Sequence, residues 1–565
     1  MNVEHLHIPT FGGIPMDDYD IRDAGSGPLI GALCDAFDLE NTINNSVTWD
    51  EKQCKISPGT HVKALIISIL SKRVPLYKIE KYYREQDLEL LFGPGITADD
   101  FNDDVLGRTL DKVYIANPKK VFCNFALKAV TKEDIDLSIL HGDTTSRLVY
   151  GQYEGEGSLN ITYGRSKDKR PDLKQYLWGL VTTRDGVPVF GEVKDGNLDD
   201  KTWNQELLPQ LAEQFQPEQL SKIIYVSDSA IVHKTCLEQI KSYGLKFISR
   251  LPHTFNLADQ LIEKAWDKDQ WTDIGSLVQR KKSAEYRCFE TQKEIYGHKY
   301  RFIVVHSSVL DKRKLKSLTK RLEKQKAELE KAIKAQMKKE YACEPDAEKA
   351  MKRFFKDQQN PFYPLSGEIV KEQVQIKRSK PGRPSAKDIP SYEEVYRTEI
   401  ELGTLDQQAF AKEQERLSCF VLISNIWDTE YTGEKILEEY KRQHTVENKF
   451  KFIKNPVYIG PIYIQKKERL EALSYVILMA LLIYSILERR VRQALQEETE
   501  PLILSGNVKS FEPTGNRILE LLDPVKVLHV DDGGRVKRFL PKRYYDLSRV
   551  LKFAGFDLEI YQRSG

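Results

Sequence analysis

The chain has 565 residues, enough for three or four domains, and 30% of them are charged with a net charge of only +2. That balance excludes a uniformly basic or acidic binder and leaves local charge blocks to carry any such role. Seven scattered cysteines with no CxxC pair exclude a zinc ribbon and a disulfide framework, and reduced thiols in a cytosolic compartment are expected.

The N-terminus, MNVEHLHIPTFGG, has no basic stretch followed by an apolar one, so no signal peptide is expected. Residues 1–130 read as mostly helical, with apolar residues at helical spacing through His61 to Leu70 and Leu76 to Leu91. FGPGITADDF is a turn, and a helix starts after it with Asn102 or Asp103 as N-cap. Short helices on tight turns suit a helix-turn-helix that enters a DNA groove, with Arg108 and Lys112 exposed on it. A helical packing or dimerisation domain fits the same residues.

From Asp136 the period changes. LSILHGD (137–143) reads as a buried strand ending in an acid, and YLWGLVTT (176–183) and VPVFGEVKDGN (187–197) follow, joined by an Asp-Gly hairpin turn. A helix over 202–215 comes next, then the strand IIYVSDSA (223–230) with Asp228 at its end, a helix over 232–243 and the strand KFISRLP (246–252). This order predicts an α/β fold with a mixed sheet flanked by helices.

Residues 253–415 break the pattern as a large α+β insertion: β-rich to His306, then a charged stretch of two helices over 310–357, then a basic loop at 378–385. A solvated helical hairpin and a DNA-clamping arm are the two readings of the charged stretch. The core resumes at CFVLISN (419–425) and continues to about 495, and short elements with basic residues fill 496–565. The apolar run Ala472 to Leu487 falls short of the ~18 residues a membrane span needs and is expected to be a central buried helix.

EKILEEYKRQHTVENKFKFIK (434–454) holds no Gly or Pro and reads as one helix. Ile436, Tyr440, Glu447, Phe450 and Lys454 would share its face. By themselves, Glu447 and Lys454 read most simply as solvent-facing. Asp143 and Asp228, each at a strand end among small polar neighbours, change that reading, because ligand sites gather at the carboxyl ends of such strands. Three carboxylates without a His or Cys cluster suit Mg²⁺ or Mn²⁺ rather than zinc.

The segments HGDTTS (141–146), YGRSKDKRPDLKQ (163–175), EVKDGNLDDKTW (192–203) and VSDSA (226–230), with the 434–454 helix, resemble the DDE transposases of the IS4-related insertion-sequence group, most closely the IS1634-like family. The resemblance covers most of the chain. It implies an RNase H-like core and a catalytic, metal-binding triad of Asp143, Asp228 and Glu447. It further implies two Mg²⁺ ions with Mn²⁺ as substitute, cleavage at transposon ends and joining of the 3′-hydroxyl to target DNA. The implied partners are inverted-repeat end DNA and target DNA. A homodimer in the DNA complex and a prokaryotic cytoplasmic, nucleoid-associated location complete the picture.

The group's Tyr-Arg-Glu-Lys pattern falls on Tyr440, position 443, Glu447 and Lys454. Position 443 is Gln443, with Arg442 one residue earlier. Tyr440, Gln443, Arg442 and Lys454 are therefore candidate DNA contacts, as are Lys167, Lys169, Arg170 and Lys174 in the basic loop, which reads alternatively as a solvated hairpin. Two rivals stand beside this reading. One is a catalytically retired, transposase-derived DNA-binding protein, and the other is a paired-carboxylate glycosidase.

Overall fold

The computed structural model describes residues 10–11, 14–15, 19–154, 157, 159–165, 170–277, 283–309, 312–376, 391–454, 464–531, 536–540 and 545–563. The chain divides into two compact units, one of Met1–Arg250, Ser424–Asp428 and Glu438–Gly565, the other of Leu251–Ile423 and Thr429–Leu437.

In the first unit, helices α1 (Pro58–Leu70), α2 (Asp103–Ile115) and α3 (Pro118–Lys132) precede the sheet. Asn102 caps α2 by accepting from the Val105 amide at 3.0 Å, as the turn before it led one to expect. Arg108 is exposed, whereas Lys112 is half-buried and reaches the Cys54 thiol.

Five strands follow: β1 (Ile139–Val149), β2 (Lys174–Thr183), β3 (Pro188–Lys194), β4 (Ile224–Ser227) and β5 (Lys246–Arg250). They lie in the order β3-β2-β1-β4-β5. β1, β2 and β3 pair antiparallel, and β1-β4 and β4-β5 pair parallel. The Asp-Gly turn joins β2 to β3, with Gly186 at φ +78°. Helix α4 (Asp200–Gln214) leads from β3 to β4, and α5 (Lys234–Tyr243) makes the crossover between the parallel strands β4 and β5. This is the mixed, RNase H-like sheet the sequence implied.

The second unit carries β6 (Thr272–Ser276), β7 (Glu285–Ile295), β8 (His298–Ser307) and β11 (Cys419–Ser424), ordered β11-β8-β7-β6. The helices α6 (Lys312–Met337) and α7 (Glu344–Asp357) lean on an antiparallel hairpin of β9 (Leu365–Gln375) and β10 (Tyr392–Leu402). Sequence reading missed that hairpin because most of its side chains face water and no apolar alternation marks it. The basic loop at 378–385 lies outside the described residues.

The 434–454 stretch is two helices, α8 (Gly433–Lys441) and α9 (His444–Lys454), where one was expected. The break falls at Arg442 and Gln443, whose side-chain environment is described below. Next comes α10 (Lys467–Gln496), at 30 residues long and apolar enough to cross a membrane, with 94% of its most apolar window buried in the protein. It packs on α1, α2, α3 and β3, and Arg469 on it grips Asp111 of α2 through two bonds of 2.6 and 2.7 Å. A three-stranded antiparallel sheet of Tyr19–Asp23, Lys526–Asp531 and Val536–Phe539 ties the two ends of this unit together. All seven cysteines are free thiols.

Candidate active site

β1 does not end at Asp143. It runs on to Val149, paired with β2 the whole way. What ends there is the parallel ladder with β4, whose last pair is Gly142 with Ser227. Ser227 in turn pairs with Ser249 of β5. The next residues in line are therefore Asp143, Asp228 and Arg250, abreast on neighbouring strands about 4.8 Å apart. All three are half-buried. Gly142 is required at this point, since a Cβ there would meet the Tyr225 hydroxyl at 2.0 Å.

Local hydrogen bonds aim the two acids. The Asp143 carboxylate accepts from the Thr144 amide at 2.7 Å. Asp228 accepts from the Ala230 amide at 3.0 Å, capping the short turn after β4. The Ser249 hydroxyl donates to the Asp228 carbonyl at 2.7 Å, fixing the end of β4 to β5.

His141, Asp143 and Arg147 alternate onto one face of β1, and α9 is fastened along that face. At its start, the buried Gln443 donates its amide to the Gly142 carbonyl at 2.9 Å and takes His141 Nδ1 on its oxygen at 3.2 Å. At its end, Arg147 donates to the carbonyls of Ile453 and Lys454 at 2.8 and 3.0 Å. Between them, Lys449 forms a buried ion pair with Glu488 of α10 at 3.1 Å. Burial pushes the Lys449 ammonium below its ordinary range, while Lys449 and Arg492 hold Glu488 low against its own burial.

α9 thus runs along β1 in the same direction. Glu447 lies four residues, about 6 Å of helix, beyond Gln443. Asp143 lies two residues, about 6.6 Å of strand, beyond His141. Glu447 comes level with Asp143. Its side chain is exposed, whereas Phe450, expected on the same face, is buried.

Tyr440 on α8 reports the cluster. Burial first, then the charges of Asp228, Glu447 and Asp143, raise its phenol above the ordinary value, with Arg250 opposing. All three acids and Arg250 are thus within electrostatic reach of one half-buried ring. Among the described residues no three His, Cys, Asp or Glu side chains converge to hold a metal ion as they stand. The donor set nevertheless suits a hard divalent cation: two carboxylates abreast and a third level with them.

The other candidates divide. Arg442 is exposed and faces Glu439 at 3.8 Å, and buried Glu439 is held by Arg184 at 2.5 Å. Gln443 is spent on β1. Lys454 is half-buried at the end of α9. Arg170 is exposed and pairs with Asp172, and Lys174 opens β2 with its ammonium on the Gln152 carbonyl. Lys167 and Lys169 lie outside the described residues. Arg250 and Arg147 went unnamed in the sequence reading. Only strand register could have brought Arg250 forward, and for Arg147 no local signal exists.

The family model "Transposase DDE domain" matches residues 180–483, more than half of the chain, and "Domain of unknown function (DUF4277)" matches residues 20–127. Comparison with curated proteins returned no match. Among solved structures, the piggyBac transposase synaptic complex with hairpin DNA matches at a TM-score of 0.38 and 10% identity, over 88% of this chain and 80% of that one. The Mos1 mariner paired-end complex with Mn matches at 0.14 and 13%, over 24% of this chain and 41% of that one. A pre-cleavage Mos1 transpososome matches at 0.15 and 12%, over 32% and 58%. On the strength of the domain match, the chain belongs to the transposase DDE domain family.

Proposed function

We propose that this DDE transposase, of the IS4-related and IS1634-like group, cuts phosphodiester bonds at its transposon ends and joins the freed 3′-hydroxyl to target DNA through Asp143, Asp228 and Glu447. The observation that carries the assignment is the register that sets Asp143 beside Asp228, with Glu447 level with them on a pinned helix. The three carboxylates would hold the metal. When bound, two Mg²⁺ ions, with Mn²⁺ as substitute, supply activation of the attacking oxygen and stabilisation of the leaving one. Arg250, abreast of the two aspartates, offsets their repulsion and presents a cation to a phosphate. The Tyr440 ring offers a surface for a terminal base, and Lys454, Arg442, Arg170, Lys174, Lys167 and Lys169 offer cations to the backbone. The partners are inverted-repeat and target DNA, bound by a homodimer at the prokaryotic nucleoid.

The test is cleavage of a DNA fragment carrying the element's own ends, with Mg²⁺ or Mn²⁺. Asp143→Asn, Asp228→Asn and Glu447→Gln are each expected to abolish cutting and spare end binding. Cutting that survives any one of them removes that residue from the triad. A wild-type protein that binds its ends and cuts with neither metal is the retired binding protein instead.

A further inference from the structure

We propose that the solvent face of α6 is a DNA-backbone-binding surface, with Lys312, Lys316, Lys320, Lys331 and Lys334 as its contacts. The inference rests on the transposase reading and adds a second place where this chain meets DNA.

α6 holds ten Lys or Arg against three Glu in 26 residues, while the whole chain nets only +2. Its buried residues Leu318, Leu322, Leu329 and Ile333 form one stripe against the rest of its unit. The five lysines lie on the other side. Lys312, Lys316 and Lys320 follow at four-residue steps, and Lys331 returns to their face about three turns later, with Lys334 beside it. All five are exposed, and among the described residues none of them forms an ion pair or a side-chain hydrogen bond. The contrast is local: on the same helix Arg321 pairs with Glu413 and Lys324 faces Glu328.

A solvated helix face mixes its charges, and like charges at four-residue spacing oppose helix formation. Glu323 and Glu330 lie on the same side, in the gap between Lys320 and Lys331, which leaves the face with five lysines against two acids. Three ammoniums about 6 Å apart, with two more about three turns further along a helix of about 39 Å, suit a polyanion of close charge spacing. Duplex DNA is that polyanion, and displacement of its counterions drives the association. Lysines on flexible stems make point contacts with phosphates, so this surface is expected to bind without regard to sequence.

The test is the salt dependence of binding by the full-length protein to mixed-sequence duplex DNA. Each lysine on a phosphate adds about 0.9 to the slope of log affinity against log salt. Replacing all five (Lys312→Gln, Lys316→Gln, Lys320→Gln, Lys331→Gln, Lys334→Gln) is expected to reduce that slope by about 4.5 units, with unchanged thermal melting. The five-fold Lys→Arg variant is expected to keep it. Lys316→Gln with Lys320→Gln, a milder change to the helix, is expected to lose about 2 units. An unchanged slope in both Gln variants, or a loss seen with duplex RNA alone, overturns the proposal. Those results leave end cleavage by the wild type intact, whereas a wild-type protein that binds no DNA overturns the transposase reading with it.

Discussion

Gln443 donates its side-chain amide to the carbonyl of Gly142, the residue before Asp143. The bond joins the start of the Glu447 helix to the strand that carries the first acid. Gln443 falls at the position where the resembling group has an arginine, and its side chain bonds to β1. Gln443→Ala would remove a side-chain partner from the buried Gly142 carbonyl and from the His141 ring, at a cost of about 1–3 kcal/mol. Since Glu447 would then be held less closely, cleavage should need more Mg²⁺ for half-maximal rate, while affinity for end DNA stays unchanged. Metal titration of cleavage beside a DNA-binding isotherm separates the two. An unchanged metal requirement would make Gln443 a stability residue only.

The Lys449–Glu488 pair fixes the middle of α9 against α10. Removing one member of a buried ion pair costs about 3–5 kcal/mol because the other is left uncompensated. Lys449→Met should fall toward the low end, since Glu488 retains Arg492 at 3.1 Å and the Gly515 amide at 2.8 Å. Combining Lys449→Met with Glu488→Met should recover part of the loss. Denaturant midpoints of the two single variants and the double variant decide it, and a Lys449→Met protein as stable as wild type would remove the pair from the account.

The parallel part of the sheet was legible because IIYVS and LSILHGD are apolar runs bounded by polar residues. The continuation of β1 through Asp143–Val149 was not, because Thr144, Thr145 and Ser146 are polar yet buried. Thr144 is buried with its hydroxyl on Asp200, a contact no periodicity records. The break between α8 and α9 was invisible for a related reason. No Gly or Pro marks it, and it coincides with the point where Gln443 bonds to a strand some 300 residues earlier in the chain. The acids could be named from sequence as Asp residues after apolar strands. Their alignment with Arg250 depends on register, which emerges only when three strands pair.

Acid should loosen the N-terminal helices through His61. Burial lowers its pKa from 6.5 to about 4, against the opposing bond to the Asp100 carbonyl, and its Nδ1 meets the Thr109 hydroxyl at 3.0 Å. The unfolded chain therefore takes up this proton first as the pH falls. Its contribution is complete above about pH 6.5 and is lost toward pH 4, by up to about 3 kcal/mol. His61→Gln should be less stable at pH 7 and show a shallower decline over that window. Thermal melting from pH 7 to 4 measures both, and parallel declines in the two proteins would clear His61 of the effect.

Arg147 closes the other end of α9. Its guanidinium satisfies the carbonyls of Ile453 and Lys454, which the helix itself leaves free. A cation there also complements the negative end of the helix dipole. Arg147→Met keeps much of the side-chain volume and removes the donors, at a cost of about 1.5–3 kcal/mol for a charged hydrogen bond. Both bonds leave one guanidinium nitrogen, so Arg147→Lys, a single charged nitrogen on a shorter stem, should recover part of the stability. Because Glu447 lies in the first turn of α9 and Arg147 grips the last, the Met variant should raise the metal requirement less than Gln443→Ala does. Measuring both variants in the same metal titration tests whether Glu447 is placed mainly from the Gln443 end, and a larger shift for Arg147→Met would reverse that order.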